Sequence, residues 1–301
     1  MLRKKISENS SKKNKKLKTD NTQNDQLNLY EDNTLSTNVS KYFPNVQVNQ
    51  IMMTIENKIL QLQIKLNEDL RALDLIKPPI SFIYNPLEYA FGPNEVYIKK
   101  YCTTPKKILF VGMNPGAFGM CQTGVPFGDP KWVREWLKVE GEVKKPQIEC
   151  PDRKILGFSS QRKEQSGHRF WGLFCKLCGT PENFFKHSFV SNFCPLTFLE
   201  SNGRNITPGE IKNIQDRKDL ESVCESSYLN LVRLLNPEFI IPLGEYMERR
   251  TKQLCKNSDV NVQVIRMPHP SPRAVKNQNW QEKAENFLRD HNLIQYFQND
   301  Q

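Results

Sequence analysis

The sequence predicts an α/β fold: a mostly parallel sheet of four strands with helices on both faces. Three observations predict it. Four short runs rich in Val, Ile and Phe, namely ILFVGM (108–113), HSFVSNF (187–193), EFIIPLG (238–244) and VQVIRMP (262–268), read as strands buried on both sides. Each gives way to a loop of Gly, Pro or Asn. Patterns of helical period lie between the runs, and strands alternating with helices imply parallel pairing.

In chain order, residues 1–45 are rich in Lys, Asn, Ser, Thr and Asp and poor in apolar groups. Such a segment buries too little surface to offset its chain entropy, so a disordered tail is expected there, with one domain over 46–301. Segment 51–73 carries apolar residues at helical spacing and ends before Lys77-Pro78-Pro79. The aromatic stretch SFIYNPLEYAF (81–91) shows no regular period. Helices are expected near 130–139, 166–179, 216–235, 245–256 and 278–293. Thr207-Pro208-Gly209-Glu210 has the signature of a capping box with Pro at the first helical position. No internal repeat is visible, and no Pro/Gly/Ser-rich linker divides 50–301.

Of the 301 residues, 38% are hydrophobic and 25% charged, enough apolar content for a folded core. No apolar run approaches the roughly 18 residues of a membrane span. The opening MLRKKISENSSKK has charge with no apolar stretch behind it, which argues against a secretory leader. Membrane and secreted classes are therefore not expected. Eight cysteines fit a reducing compartment, with thiols used as small buried residues. The net charge is +10. Residues 1–20 supply +6 of it, from eight bases and two acids, which leaves +4 on the remaining 281 residues. A basic tail is ordinarily a solvated leash, but KKNKKLK at 12–18 also has the composition of a nuclear-import signal or a phosphate-seeking arm.

Ligands of a parallel α/β sheet bind beyond the carboxyl ends of its strands, so chemistry is sought there. The first strand opens into GMNPGAFGMCQTGVPFG (112–128), a loop dense in Gly and Pro whose backbone can approach a ligand closely. It lacks the GK[ST] ending of a phosphate loop and the G-x-G-x-x-G spacing of a dinucleotide site. Asn114 sets a neutral amide just past the strand end. The second strand ends at Asn192, before Phe193-Cys194-Pro195-Leu196. The fourth leads to His269-Pro270-Ser271-Pro272-Arg273, where a histidine flanked by two prolines has little local freedom.

Together, GMNPGAFGMCQTGVPFGD, SNFCPL with the following NGRN, and HPSPR resemble the single-strand-selective monofunctional family of the uracil-DNA glycosylase superfamily. The resemblance runs from about Tyr84 to the last helix. Any one motif alone would be weak; three in this order, each behind a strand, are specific. The resemblance implies a three-layer α/β/α sandwich around a central four-stranded, mostly parallel sheet. It implies excision of uracil and 5-modified uracils such as 5-hydroxymethyluracil from single- and double-stranded DNA, in base-excision repair, without strand cleavage and without metal or other cofactor. The expectation that goes with it is a monomer in the nucleus whose partner is DNA containing uracil or oxidised thymine derivatives, with no membrane association.

The same resemblance implies the residue roles. His269 would hydrogen-bond the oxyanion that develops on O2 of the departing base; one well-aimed donor in a dry pocket supplies about 3–4 kcal/mol. Asn114 matches the residue that holds the attacking water. An amide orients water but cannot take its proton, so attack is expected late, on a sugar already cationic. Asn192 matches the base reader. Its amide offers one acceptor and one donor face, which suits N3–H and O4 of uracil. Cytosine presents the reverse pattern and would leave two groups unpaired, at about 1–3 kcal/mol each. Phe127 matches the ring that stacks on the everted base. Met113 and Gly116 line the pocket near the 5-position, where glycine leaves room for water or a hydroxymethyl group. Ser271, Pro272, Arg273 and Lys276 would form the wedge that fills the gap left by the base, whose eversion costs a few kcal/mol. Arg273 holds the plug position and can pair with phosphate. The family carries Asn-Pro after that arginine where this chain has Ala274-Val275.

Other polar and aromatic residues read as structural. His168 and His187 fall in helix and strand patterns. Cys175 and Cys178 share a helix face beside Phe170 and Trp171, which is core context, and no second cysteine pair has metal-site spacing. Trp132 and Trp136, four apart, read as packing, and Asn205 as a loop or turn residue, with contact to DNA as the alternative. Two rival functions stay open: a catalytically silent damage-binding protein on the same fold, and a glycosylase tuned to mismatched thymine, against which Met113 and Gly116 argue.

Overall fold

A computed structural model describes residues 53–274 and 277–298. The basic tail over 1–45 and Lys276 lie outside the described residues. Helix α1 (Ile55–Arg71) buries Ile59, Leu66 and Leu70 along one stripe. Then come β1 (Phe82–Tyr84), the single-turn α2 (Pro86–Tyr89) and α3 (Phe91–Tyr101). The aromatic stretch without visible period is therefore strand, turn and the start of a helix. Its strand has three residues, too few to show alternation. Asn85 caps α2 by accepting from Leu87 N at 3.2 Å, with Pro86 in the first helical position.

After β2 (Ile108–Gly112) come the short α4 (Met120–Thr123) and α5 (Pro130–Glu135), then α6 (Gln165–Cys178), α7 (Pro181–His187) and β3 (Ser188–Asn192). Helix α5 stops four residues before its expected end at 139: Leu137 N bonds back to Trp132 O at 3.0 Å, and Lys138 turns to φ 50°. His187 closes α7 instead of opening the strand. The chain continues through β4 (Thr197–Leu199), β5 (Asn205–Ile206), α8 (Ile214–Leu235), β6 (Phe239–Pro242), α9 (Glu245–Lys256), β7 (Gln263–Val264) and α10 (Trp280–Asp290). The capping box at Thr207 forms, with Glu210 accepting from Thr207 N and Oγ1, both at 2.8 Å. It closes one 3₁₀ turn only. Ile211 returns to extended backbone, and α8 starts afresh on Asn213, which accepts from Gln215 N and Asp216 N.

The four apolar runs form one parallel sheet in the order β3-β2-β6-β7. Phe110 at its centre is fully buried and meets Phe170 and Phe174 of α6, Phe184 of α7 and Phe297, with ring centroids 5.3–6.0 Å away. Side chains alternate along a strand, so Leu109 and its register partner Phe189 face the other way. There Phe189 stacks on Tyr97 of α3 at 5.1 Å. Helices thus cover both faces, the α/β layering expected.

The expected strand over 262–268 shrinks to two residues, for a covalent reason. Phe239 N and Leu243 N donate toward β2, to Lys107 O and Val111 O, whereas Gly244 N donates to Met267 O on the other side. Alternation puts position 242 on the β7 side, where Pro242 has no N–H to give. Beyond the gap the pairing resumes as a single bridge, Leu243 to Met267. A second sheet, antiparallel in the order β1-β4-β5, was not legible in the sequence. It pairs Phe82 with Leu199 and Leu199 with Asn205, so Asn205 lies on an edge strand rather than in a loop.

Candidate active site

Parallel register sets the site. Gly112 pairs with Asn192, so the loops after β2 and β3 leave the sheet side by side. The bridge at Met267 brings His269 beside them, two residues on. Met113, Asn114, Gly116, Phe127, Asn192 and His269, drawn from three separate motifs, line one cavity of about 260 Å³. Ser271 lines it too. Pro272 and Arg273 are exposed and do not line it.

Gly112 is where close approach demands glycine. A Cβ there would lie 2.4 Å from Asn192 Oδ1 and 3.0 Å from the Phe127 ring, so any side chain would push both out of the cavity. Phe127 adopts φ 54°, a conformation non-glycine residues rarely take. Its carbonyl is fixed by Trp171 Nε1 at 3.0 Å and by Asp129 N at 2.8 Å. One face of its ring stacks on Phe170 at 5.2 Å and 18°, which leaves the opposite face for a flat ligand.

The two asparagine amides are pinned differently. Asn114 Nδ2 donates to Leu196 O at 3.1 Å, which leaves Oδ1 as the group able to accept from a ligand or water. Among the described residues, Asn192 Nδ2 donates to the Met120 sulfur, at 3.2 Å. A thioether is a weak acceptor, so a better one can replace it.

His269 is the most constrained residue of the site. Ser271 N donates to its Nδ1 at 3.0 Å. Burial pushes its pKa down to about 4, so at neutral pH the ring is uncharged and its one proton sits on Nε2. The surrounding backbone is held by three side chains. Asn277 Nδ2 donates to His269 O at 2.8 Å and Ser271 O at 2.6 Å. Arg169 donates to Pro270 O and Asn277 O at 3.3 and 3.2 Å, and Trp280 Nε1 to Pro268 O at 2.7 Å. Gly244, at φ 99°, lies behind the imidazole; a Cβ there would meet the His269 Cβ at 3.4 Å.

Glu164, Asn205 and Thr207 also line the cavity; sequence reasoning assigned no site role to Glu164 or Thr207 and read Asn205 first as a loop or turn residue. Glu164 caps α6, accepting from Ser166 N at 3.2 Å and from Gly167 N, and burial raises its carboxyl pKa. It backs the loop after β2, since a Cβ on Gly119 would lie 2.6 Å from its Cγ. The available signal was a carboxylate just ahead of a helical pattern, which marks a cap but says nothing of a cavity. Asn205 and Thr207 arrive on the unforeseen antiparallel sheet. The clamp of Arg169, Asn277 and Trp280 had no signal, being pairings across about a hundred residues or around a loop.

Of the residues read as structural, the histidines, tryptophans and cysteines sit in packing contacts, whereas Asn205 lines the cavity. His168 Nδ1 accepts from Trp132 Nε1 at 2.9 Å, and Trp132 meets Trp136 edge-on at 6.4 Å. His187 packs edge-on against Tyr296. Cys178 is buried and Cys175 packs against the same core.

The family model of the uracil DNA glycosylase superfamily matches residues 99–292, a span that contains every cavity-lining residue named above. Similar relatives include the single-strand selective monofunctional uracil DNA glycosylase of Bos taurus, 43% identical over 236 residues that cover 78% of this chain and 86% of the relative. The protein of the same name from Mus musculus is 43% identical over 236 residues, covering 78% and 84%. Among solved structures, wild-type SMUG2 of Pedobacter heparinus matches with a TM-score of 0.59 over 81% of this chain and 99% of that one, at 19% identity, a likeness of fold. Identity above 40% over 78% of the chain, with the superfamily match over 99–292, places this chain among the single-strand selective monofunctional members of the uracil DNA glycosylase superfamily.

Proposed function

We propose that this chain hydrolyses the N-glycosidic bond between uracil and deoxyribose in DNA, releasing the base and leaving an abasic site. One observation carries the reading: an uncharged imidazole with its proton on Nε2 shares a cavity with the Asn192 amide, the Phe127 ring and Asn114. In the proposed reaction the everted base stacks on the open face of Phe127. Asn192 accepts from N3–H and donates to O4, releasing the Met120 sulfur. The C1′–N1 bond breaks with its electron pair going to the base, and the charge that gathers on O2 meets the His269 Nε2–H. A neutral donor suits this step because it stabilises the anion without having to give up its proton. Water held by Asn114 Oδ1 adds to C1′ of the oxocarbenium-like sugar and gives its proton to solvent.

Finer features belong to the same proposal. Gly116 offers no side chain, and a Cβ there would reach Glu164 only at 3.7 Å, so the wall has depth for a 5-hydroxymethyl group. Both single- and double-stranded DNA are taken as substrates, with Ser271, Pro272 and Arg273 as the wedge in a duplex. The protein acts as a monomer, and the basic tail serves nuclear import or a phosphate-seeking role. The test incubates purified protein with a uracil-containing oligonucleotide, with and without hot alkali. Breaks that appear only after alkali are expected. Intact DNA after alkali would overturn the reading, and breaks before it would mean lyase chemistry.

A further inference from the structure

On the far side of the loop that walls the base cavity lies a surface groove of about 360 Å³, lined in part by Phe118, Gln122, Asp152, Lys154 and Arg162. One segment supplies most of it. Residues 144–163 hold six bases against two acids, a net +4, which equals the entire excess charge of residues 21–301. Within it, the Arg162 guanidinium lies over the Phe118 ring at 4.2 Å and that of Arg153 at 5.4 Å, so two cations are gathered on one aromatic side chain. Arg153, Lys154 and Arg162 make no ion pair among the described residues, and Asp152 is the one acid lining the groove. The floor is rigid. Gln122 donates to Ala117 O and Lys154 O and accepts from Leu156 N and Gly157 N, tying the groove segment to the same loop that carries Asn114 and Gly116.

We propose that this groove is the track for the DNA strand flanking the everted nucleotide, with Arg153 and Arg162 on its phosphates and Phe118 as the positioning residue that holds both guanidiniums. The inference rests on the glycosylase reading for its occupant. Charge complementarity and continuity with the cavity through one loop select a nucleic-acid strand over any acidic peptide. Guanidiniums held against a ring lose less freedom on binding phosphate than free side chains would.

The test measures binding of a single-stranded oligonucleotide against salt concentration, with and without uracil, for the wild type and for Arg162→Ala, Phe118→Ala, Phe118→Tyr and Lys107→Ala. Lys107 precedes β2 and so sits at the opposite end of the sheet from the cavity. Loss of one phosphate contact lowers the slope of log K against log salt by about 0.7 on a single strand. Arg162→Ala is expected to show that loss on both oligonucleotides, Phe118→Ala to weaken binding in the same direction, and Phe118→Tyr to restore it, with Lys107→Ala at the wild-type slope. A wild-type slope in Arg162→Ala, or a fall in Lys107→Ala as large as in Arg162→Ala, overturns the groove. Excision of uracil by the wild type, scored in the same samples, separates this result from the fate of the glycosylase reading: the groove can fail while excision stands, and binding can show the groove while excision is absent.

Discussion

His269 carries the proposed reaction through its charge state as much as its position. Its Nδ1 is occupied by Ser271 N–H, so the ring can donate only through Nε2. His269→Leu should lower kcat about 10²–10³-fold, the cost of one missing oxyanion donor, while binding of uracil-containing DNA persists. Equal loss of binding and turnover would assign the residue to folding instead. The depressed pKa also has a stability consequence. The folded value of about 4 lies below the ordinary 6.5, so between these limits the unfolded chain binds more protons than the folded one. The stability that comes from keeping this ring neutral is present above about pH 6.5 and is lost as pH falls toward 4. Urea titrations of His269→Leu across that window should show a flatter dependence on pH than the wild type. Asn192→Asp replaces the donor toward O4 by an acceptor. It should lower uracil excision and raise the ratio of cytosine to uracil released from matched oligonucleotides; an unaltered ratio would remove Asn192 from base reading. These residues were legible in the sequence because each sits at or just beyond the carboxyl end of an apolar run. Glu164 was not, because its approach to Gly116 and Gly119 depends on how α6 meets the loop after β2.

Elements differ in how plainly the sequence announces them. The four sheet strands are apolar runs, and burial on both faces writes itself as continuous hydrophobicity. The strands of the second sheet are two or three residues long and carry no period. They exist because each finds a partner, Tyr84 with Thr197 and Phe198 with Ile206, which only the folded chain supplies. The loop between β7 and α10 shows the same dependence. Its course past His269 is set by Asn277, whose amide bonds both flanking carbonyls. Asn277→Ala should cost about 1–2 kcal/mol of stability, as two hydrogen bonds to backbone are lost. It should also lower kcat more than it raises KM, since the imidazole loses its bearing while the base pocket keeps Phe127 and Asn192. A change in KM alone would mean that the loop serves binding only.

At the scale of the whole molecule the charge is divided between two places. Residues 1–20 carry +6, and the segment 144–163 carries the +4 that remains. Removing residues 1–20 should leave excision from a short oligonucleotide measurable and make its KM less steeply dependent on salt. A steepness equal to that of the full chain would show that the tail makes no phosphate contact. The rest of residues 21–301 sums to zero. Arg250 of α9 reaches Glu225 of α8 at 2.6 Å and pairs with Glu221 as well, a cluster of net −1 that joins two helices and offers DNA no positive charge. A phosphate backbone would therefore meet its excess positive charge, within residues 21–301, along the segment that lines the groove beside the base-cavity loop.

The sequence by itself determined the parallel sheet, the loops at its carboxyl ends and six of the residues that line the cavity there, because apolar runs and strand-end motifs are local patterns. Only the tertiary structure decided which faces those side chains show. The neutral state of His269 comes from burial and a backbone donor, the position of Phe127 from the absent side chain of Gly112, and the carboxylate at the cavity wall from a helix cap fifty residues along the chain from Asn114. The bond from Ser271 N to His269 and the Glu164 cap are local, but the burial of that ring, the fit of Phe127 against Gly112 and the approach of Glu164 to the loop after β2 come from segments packed together in the fold, which no local pattern encodes.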